Sequence, residues 1–493
     1  MGILWYKFKL SHNGPSLPPG PCSLPIVGYL PFLGSELHTE FTNMAHTYGP
    51  IFKCQLGSKL CVVINTPELV KVVTRDQDEA FSDRDQTTAA LSITYGGQDI
   101  VVSNNNENWR KLRKIFVHEM LSNKNLEASG SFRSNEVRKT IKTVFGQIGT
   151  TVNIRNIAFA TLTNVLTRMV WGNTSDKGEG NRNLGDELDI LSSNISRLFG
   201  RVNLSDLFPS LARFDIQGIE RDMKKQHNKL DQIFNSIIKD RIESNTKETP
   251  DDGEHEGKKD FLQILFSLLD QKDTTSLSMT QIKALLTDVM IAGTETTATT
   301  VEWAMASVMH NDNVMKRVKE ELAEVVGLDN IVEESHVPKL KYLNATVKET
   351  LRLYPVSPLL VPRRARKACM VGGYTIPKKC TIFLNVSSIH RDPRYWDNPL
   401  EFNPERFLIN KLDTKGNDFK YFPFGSGRRI CAGVSLAEKM LILILASLLH
   451  SFEWTLPKGE EHDFTETFGA VLKKTNPLVA IPSQRLSDVR LYM

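Results

Sequence analysis

Residues 422–433 read Phe-Pro-Phe-Gly-Ser-Gly-Arg-Arg-Ile-Cys-Ala-Gly, and the chain then enters an apolar run, 434–451. This pairing constrains the fold more than any other stretch. An apolar helix of that length must be buried, yet it is entered through a loop holding a single cysteine, two arginines and glycines at 425, 427 and 433. Taken alone, Cys431 reads as a small buried hydrophobe. An ordinary core cysteine has no need of such neighbours. A thiolate ligand to iron does: it needs an exposed sulfur, electrostatic support and close approach of backbone to a flat cofactor. Glycines permit the approach, the start of a helix near Val434 favours negative charge, and Arg429 can pair with a cofactor carboxylate.

Three other segments carry chemistry. Glu349 and Arg352, in Glu-Thr-Leu-Arg, share one helix face at i,i+3. Alone the pair reads as a solvated surface contact. Arg406, in Pro404-Glu-Arg-Phe407, offers a third member for a buried Glu–Arg–Arg network. Ala292-Gly-Thr-Glu-Thr-Thr297 interrupts a long apolar helix candidate, 280–310. A Thr hydroxyl there can bond back to a carbonyl and bend the helix, which alone explains a kink without chemistry. Glu295 beside Thr296 also supplies an acid and an alcohol, the parts of a proton relay. Trp109 and Arg113 share a face at i,i+4 and can hold one carboxylate, or form a plain cation–π pair.

Composition excludes several classes. The 493 residues carry a net charge of +4, too mild for nucleic acid. Six cysteines without a Cys-x-x-Cys pair argue against zinc ribbons and disulfide scaffolds. No stretch approaches the ~20 apolar residues of a membrane span. The N-terminus, with Ile3 to Leu10 running into Lys7, Lys9 and the stiff Leu17-Pro-Pro-Gly-Pro21, is expected to be the remnant of a removed membrane anchor plus a hinge, residues 1–21. A naturally short, exposed terminus is the alternative. Strand signals occupy 50–75, short strands and turns 356–385, and helices 108–121, 312–326, 339–354 and 434–451. The polar stretch 244–260 reads as an exposed loop. Residues 22–493 are expected to form a single mainly α domain with a small β-rich portion.

Together, Phe424-x-x-Gly427-x-Arg429-x-Cys431-x-Gly433, Glu349-x-x-Arg352 and the 292–297 segment resemble the cytochrome P450 superfamily of haem-thiolate monooxygenases, over essentially the whole chain from the hinge onward. Leu-Pro-Pro-Gly-Pro, Pro-Glu-Arg-Phe and the cysteine loop are similar to plant microsomal members. Leu24–Gly34, Tyr48–Lys53, Asn108–Asn123 and Val471–Pro482 more narrowly resemble the plant 706 family. The resemblance implies a triangular helical prism with haem b between the long central helix and the cysteine loop. It implies Cys431 as axial ligand to iron, Glu295 and Thr296 as proton donors, and Trp109, Arg113, Arg363, Phe424, Arg429 and Gly433 around the haem. Glu349, Arg352 and Arg406 become structural.

The same resemblance implies electrons from NADPH-cytochrome P450 reductase, docking on Arg110, Lys111, Lys114, Lys420, Arg428 and Lys439. It also implies attachment to the endoplasmic reticulum membrane with the catalytic domain facing the cytosol, as a monomer. The implied substrate pocket includes Tyr95, Phe199, Ala292, Val356, Leu360 and Phe468. Its aromatic positions, with Thr88, Ser92 and Thr94, favour a flavonoid or related phenolic, with a sesquiterpenoid or other terpenoid as the alternative. A peroxide-rearranging haem enzyme, or a haem carrier or sensor, explains Cys431 but leaves the acid–alcohol pair without a purpose.

Overall fold

A computed structural model describes residues 16–172, 180–247, 260–269, 271 and 276–493. Most of the anticipated anchor remnant, residues 1–15, lies outside them. The elements that place the site are helices α1 (Glu107–Ile115), α2 (Ile154–Trp171), α3 (Ile219–Lys247), α4 (Met279–Thr287), α5 (Gly293–His310), α6 (Lys341–Leu353) and α7 (Val434–Ser451). The expected loop 244–260 is partly helix: α3 continues to Lys247, and residues 248–259 lie outside the described residues.

The central helix candidate is one continuous helical run in three parts. α4 opens with a capping box, in which Ser278 and Gln281 satisfy each other's backbone N–H groups. A π-helical turn, Asp288–Ala292, then leads into α5. Residues 294–308 of α5 are buried except Thr296. α5 is flanked by α2, α6 and α7, so it has no polar face to present and its apolar sequence follows. α7 corrects one expectation. It is 18 residues long and apolar enough to span a membrane, but most of it is buried in the core. α6 stops at Leu353, two residues before Pro355, as proline geometry requires.

The largest sheet has five strands: β1 (Ile51–Leu56), β2 (Lys59–Ile64), β3 (Asp83–Arg84), β4 (Arg363–Arg364) and β5 (Thr381–Leu384), ordered β1-β2-β5-β4-β3. β1 and β2 form an antiparallel hairpin, with Ile51 opposite Ile64 and Leu56 opposite Lys59. β2 runs parallel to β5. From Pro67 the chain turns helical, over Pro67–Lys71 and Val72–Asp76, ending the strand region earlier than residue 75. The architecture is mainly α with small sheets, and the cysteine loop faces α5 across a cavity.

Candidate active site

The cysteine loop is held by its own backbone. The Cys431 N–H donates to the Phe424 carbonyl at 2.9 Å. Gly427 has φ +68°, and a Cβ there would stand 2.0 Å from the Thr74 carbonyl oxygen. Gly427 therefore answers to neighbouring backbone, not to a cofactor. Gly433 does lie beside the sulfur: a Cβ there would meet Cys431 Sγ at 3.9 Å. The Cys431 side chain is exposed to the cavity; the protein packed around it pushes the thiol up, opposed by the Gly433 N–H and the Arg113 charge.

Cys431, Phe424 and Gly433 line a cavity of about 290 Å³ with an overwhelmingly apolar wall. α5 and the turn before it contribute Ala292, Gly293, Thr296, Thr297 and Thr300. The Thr296 hydroxyl donates to the Ala292 carbonyl at 2.7 Å, the back-bond anticipated for this segment. Glu295 is turned away from the cavity. It is buried, paired with Arg155 at 2.6 Å and with Lys473, and accepts from the Ser192 hydroxyl at 3.3 Å.

Four guanidiniums meet at one edge of the cavity: Arg84, Arg113, Arg363 and Arg429. Burial and mutual repulsion hold Arg84 well below its ordinary value and pull Arg429 down to about 9. Arg113 and Arg363 are pulled down by burial, against the pull of Cys431 and Asp78 respectively. Trp109 is not on the wall. Its indole N–H donates to the Ile100 carbonyl at 3.0 Å, and its ring carries the Arg429 guanidinium at 4.1 Å and that of Arg113 at 5.8 Å. Arg84 escaped the sequence reading because Asp83 and Asp85 beside it suggest a local surface pair.

The family model "Cytochrome P450" matches residues 18–481. The chain belongs to the cytochrome P450 family. Cytochrome P450 76C1 of Arabidopsis thaliana is 37% identical, over 98% of this chain and 94% of its own. The flavonoid 3',5'-hydroxylase of Campanula medium is 36% identical, over 98% and 94%. A zebrafish cytochrome P450 solved with abiraterone superposes with a TM-score of 0.75 at 25% identity, over 92% of this chain and all of that one. The chain is accordingly a haem monooxygenase of plant specialised metabolism, served by a redox partner and acting on a small substrate.

The residues present fit a haem. Three buried guanidiniums, Arg84, Arg363 and Arg429, and the half-buried Arg113 converge on one cavity edge with too few acids to balance them, which suits a dianionic ligand, and a cysteine lines the same cavity. This P450 also brings Glu349, Arg352 and Arg406 together. Glu349 accepts from Arg352 Nε at 2.7 Å and Nη2 at 2.8 Å, from Arg406 Nε at 3.0 Å and from the Asn403 N–H at 2.9 Å. Arg352 donates further to the carbonyls of His390, Pro399 and Glu401.

The anticipated pocket divides. Ala292, Val356 and Leu360 line the cavity; Tyr95, Phe199 and Phe468 do not. The Tyr95 hydroxyl is spent on Asp231 at 2.7 Å, Phe468 stacks on His38, and Phe199 packs against the hydrophobic core. Of the anticipated docking cations, Arg110, Lys114 and Arg428 are exposed, and Lys111, Lys420 and Lys439 half-buried. Arg428 is paired with Asp78 at 3.2 Å, and Lys111 donates to the Ser276 carbonyl at 2.6 Å.

Proposed function

We propose that this P450 hydroxylates a flavonoid or related phenolic, using electrons from NADPH-cytochrome P450 reductase, at the endoplasmic reticulum membrane with its catalytic domain on the cytosolic side. Residues 22–493 act as one monomeric catalytic domain. The observation that carries the reading is the placement of Cys431 and Thr296 on one apolar cavity edged by four guanidiniums. The flavonoid hydroxylases among the relatives support the substrate.

Cys431 would hold the iron, and Arg84, Arg113, Arg363 and Arg429 would hold the propionates, with Trp109 bracing Arg113 and Arg429. A bound haem would supply the dioxygen chemistry, in which one oxygen atom goes to the substrate and the other leaves as water at the expense of two electrons from the reductase and two protons. The apolar wall excludes bulk water from the reacting group. Thr296 is one of the hydroxyls on that wall, and its back-bond to Ala292 commits its own proton and leaves its oxygen free to accept a hydrogen bond from a proton-delivering group. Glu295 acts from behind the helix, its ion pairs fixing α2 and the segment of Lys473 against α5. Arg110, Lys114 and Arg428 supply the exposed part of a basic face for the reductase.

A terpenoid substrate is the second reading. Tyr95, Phe199 and Phe468 lie off the wall, which leaves it predominantly aliphatic. A spectral binding screen of flavonoids against sesquiterpenes on the haem-loaded enzyme, followed by product analysis with reductase and NADPH, decides between them. The phenolic reading expects a flavonoid to shift the haem spectrum and be hydroxylated; binding and turnover of terpenes alone would overturn it.

A further inference from the structure

One carboxylate, that of Asp78, joins the exposed basic face to the arginine cluster of the cavity. Its Oδ2 accepts from the Arg428 backbone N–H at 2.9 Å and from the Arg428 guanidinium at 3.2 Å. Its Oδ1 accepts from Arg363 Nη1 at 3.1 Å, and Arg363 Nη2 donates to the Ser426 carbonyl at 2.7 Å. We propose that Asp78 is a positioning residue that fixes Arg363 at the cavity edge, and that Arg428, from the surface, sets how much of the Asp78 charge is felt there. An acidic partner that takes up Arg428 thereby alters the field at the cofactor site before any electron moves. The inference rests on the haem reading above and adds to it a link from the docking face to the cavity.

Burial and geometry carry this. The Asp78 side chain is 12% exposed and that of Arg363 3%, against 51% for Arg428. Water therefore screens Arg428 strongly and the other two weakly. While Arg428 stays at the carboxylate, it cancels much of the Asp78 charge. Drawn away, it leaves that charge to Arg363 alone. Arg363 lines the cavity among cations that repel one another, and Asp78 is the acid that favours its charged form against burial. The acid balancing Arg363 thus governs the net charge along that edge. The joint is also close-packed. A Cβ at Gly427 would stand 2.0 Å from the Thr74 carbonyl oxygen and 3.0 Å from Asp78 Oδ1, so only glycine lets the loop bring the Arg428 N–H onto Asp78. A negative charge left uncovered near a cofactor disfavours its one-electron reduction, so a midpoint potential reads the state of this joint.

The test is spectroelectrochemical titration of the full, haem-loaded enzyme as wild type, Arg428→Gln, Asp78→Asn, the double variant and Asp78→Glu. Arg428→Gln is expected to lower the equilibrium constant for reduction roughly tenfold, a fall of about 59 mV in midpoint potential. Asp78→Asn should raise the potential, because a negative charge is lost beside Arg363. The double variant should match Asp78→Asn: with no carboxylate to hold it, Arg428 lies in water and its loss is not felt. Asp78→Glu keeps the charge and should return the potential toward the wild-type value. Lys415→Gln removes an exposed cation next to Gly416, whose carbonyl accepts the Ser426 hydroxyl at 2.6 Å, and should leave the potential unchanged. This control decides the matter even where an Asp78 variant does not fold. A potential unmoved by Arg428→Gln, an equal fall in Lys415→Gln, or the same Arg428→Gln shift with and without Asp78 would overturn the proposal. The reduced carbon monoxide band of the same samples separates the two failures. Its absence from the wild type would sink the haem reading and the proposal with it; its presence with unmoved potentials would sink the proposal alone.

Discussion

Replacing Glu349 by Gln changes the volume of a fully buried side chain very little but removes its charge. The carboxylate accepts four hydrogen bonds: two from Arg352, one from Arg406 and one from the Asn403 N–H. Both guanidiniums are desolvated, the Arg352 side chain being 0% and the Arg406 side chain 10% exposed. A Gln offers one acceptor oxygen and sets its NH2 against donors. Breaking a buried ion pair from one side costs about 3–5 kcal/mol, because the partner charge stays buried. With an unfolding entropy of ~2.1 cal/mol/K per residue, a chain of this size has ~1 kcal/mol/K in total, so Tm should fall by about 3–5 °C. Differential scanning fluorimetry of variant and wild type at one scan rate measures it. A shift below about 1 °C would show that the triad holds no net charge balance and would refute the reasoning.

Further expectations test other parts of the molecule. His390 is buried, accepts the Phe422 N–H at 3.1 Å, and is pulled down to about 3 by burial and then by Arg352. Its neutral form therefore contributes stability that is complete above the unfolded value of ~6.5 and is lost as pH falls toward 3, amounting to ~2.7 kcal/mol by about pH 4.5. The urea midpoint should follow that slope, and His390→Gln should flatten it. Gly427→Ala meets both a positive φ and the Thr74 carbonyl and should cost about 2–3 kcal/mol in the same urea assay. Thr296→Ala should keep NADPH consumption but lower product formed per NADPH, with hydrogen peroxide making up the difference; unchanged coupling would remove Thr296 from proton handling.

Periodicity exposed α5, α6 and α7 because each buries a large apolar surface, and β1 and β2 were visible as strand-forming runs bounded by Gly57 and Pro67, while their pairing as a hairpin came from the structure. Local motifs of the site were equally readable: Cys431, and the Glu349–Arg352 pair, whose spacing is fixed by the helix. What depends on direction was not. Glu295 and Thr296 are adjacent in sequence, yet one faces Arg155 and Lys473 while the other faces the cavity, and the π-helical turn before Gly293 leaves no signature in composition. Tyr95, Phe199 and Phe468 are aromatic in the right segments, but each has a partner that draws it off the wall. Arg84 and the Asp78–Arg363 pair join segments distant in the chain, and only the fold brings them together.

The most direct test of the central claim is the reduced carbon monoxide difference spectrum of the haem-loaded protein beside its Cys431→Ser variant. Thiolate ligation by Cys431 predicts the red-shifted thiolate-type band in the wild type and its loss in the variant. An unchanged band in Cys431→Ser would contradict the assignment.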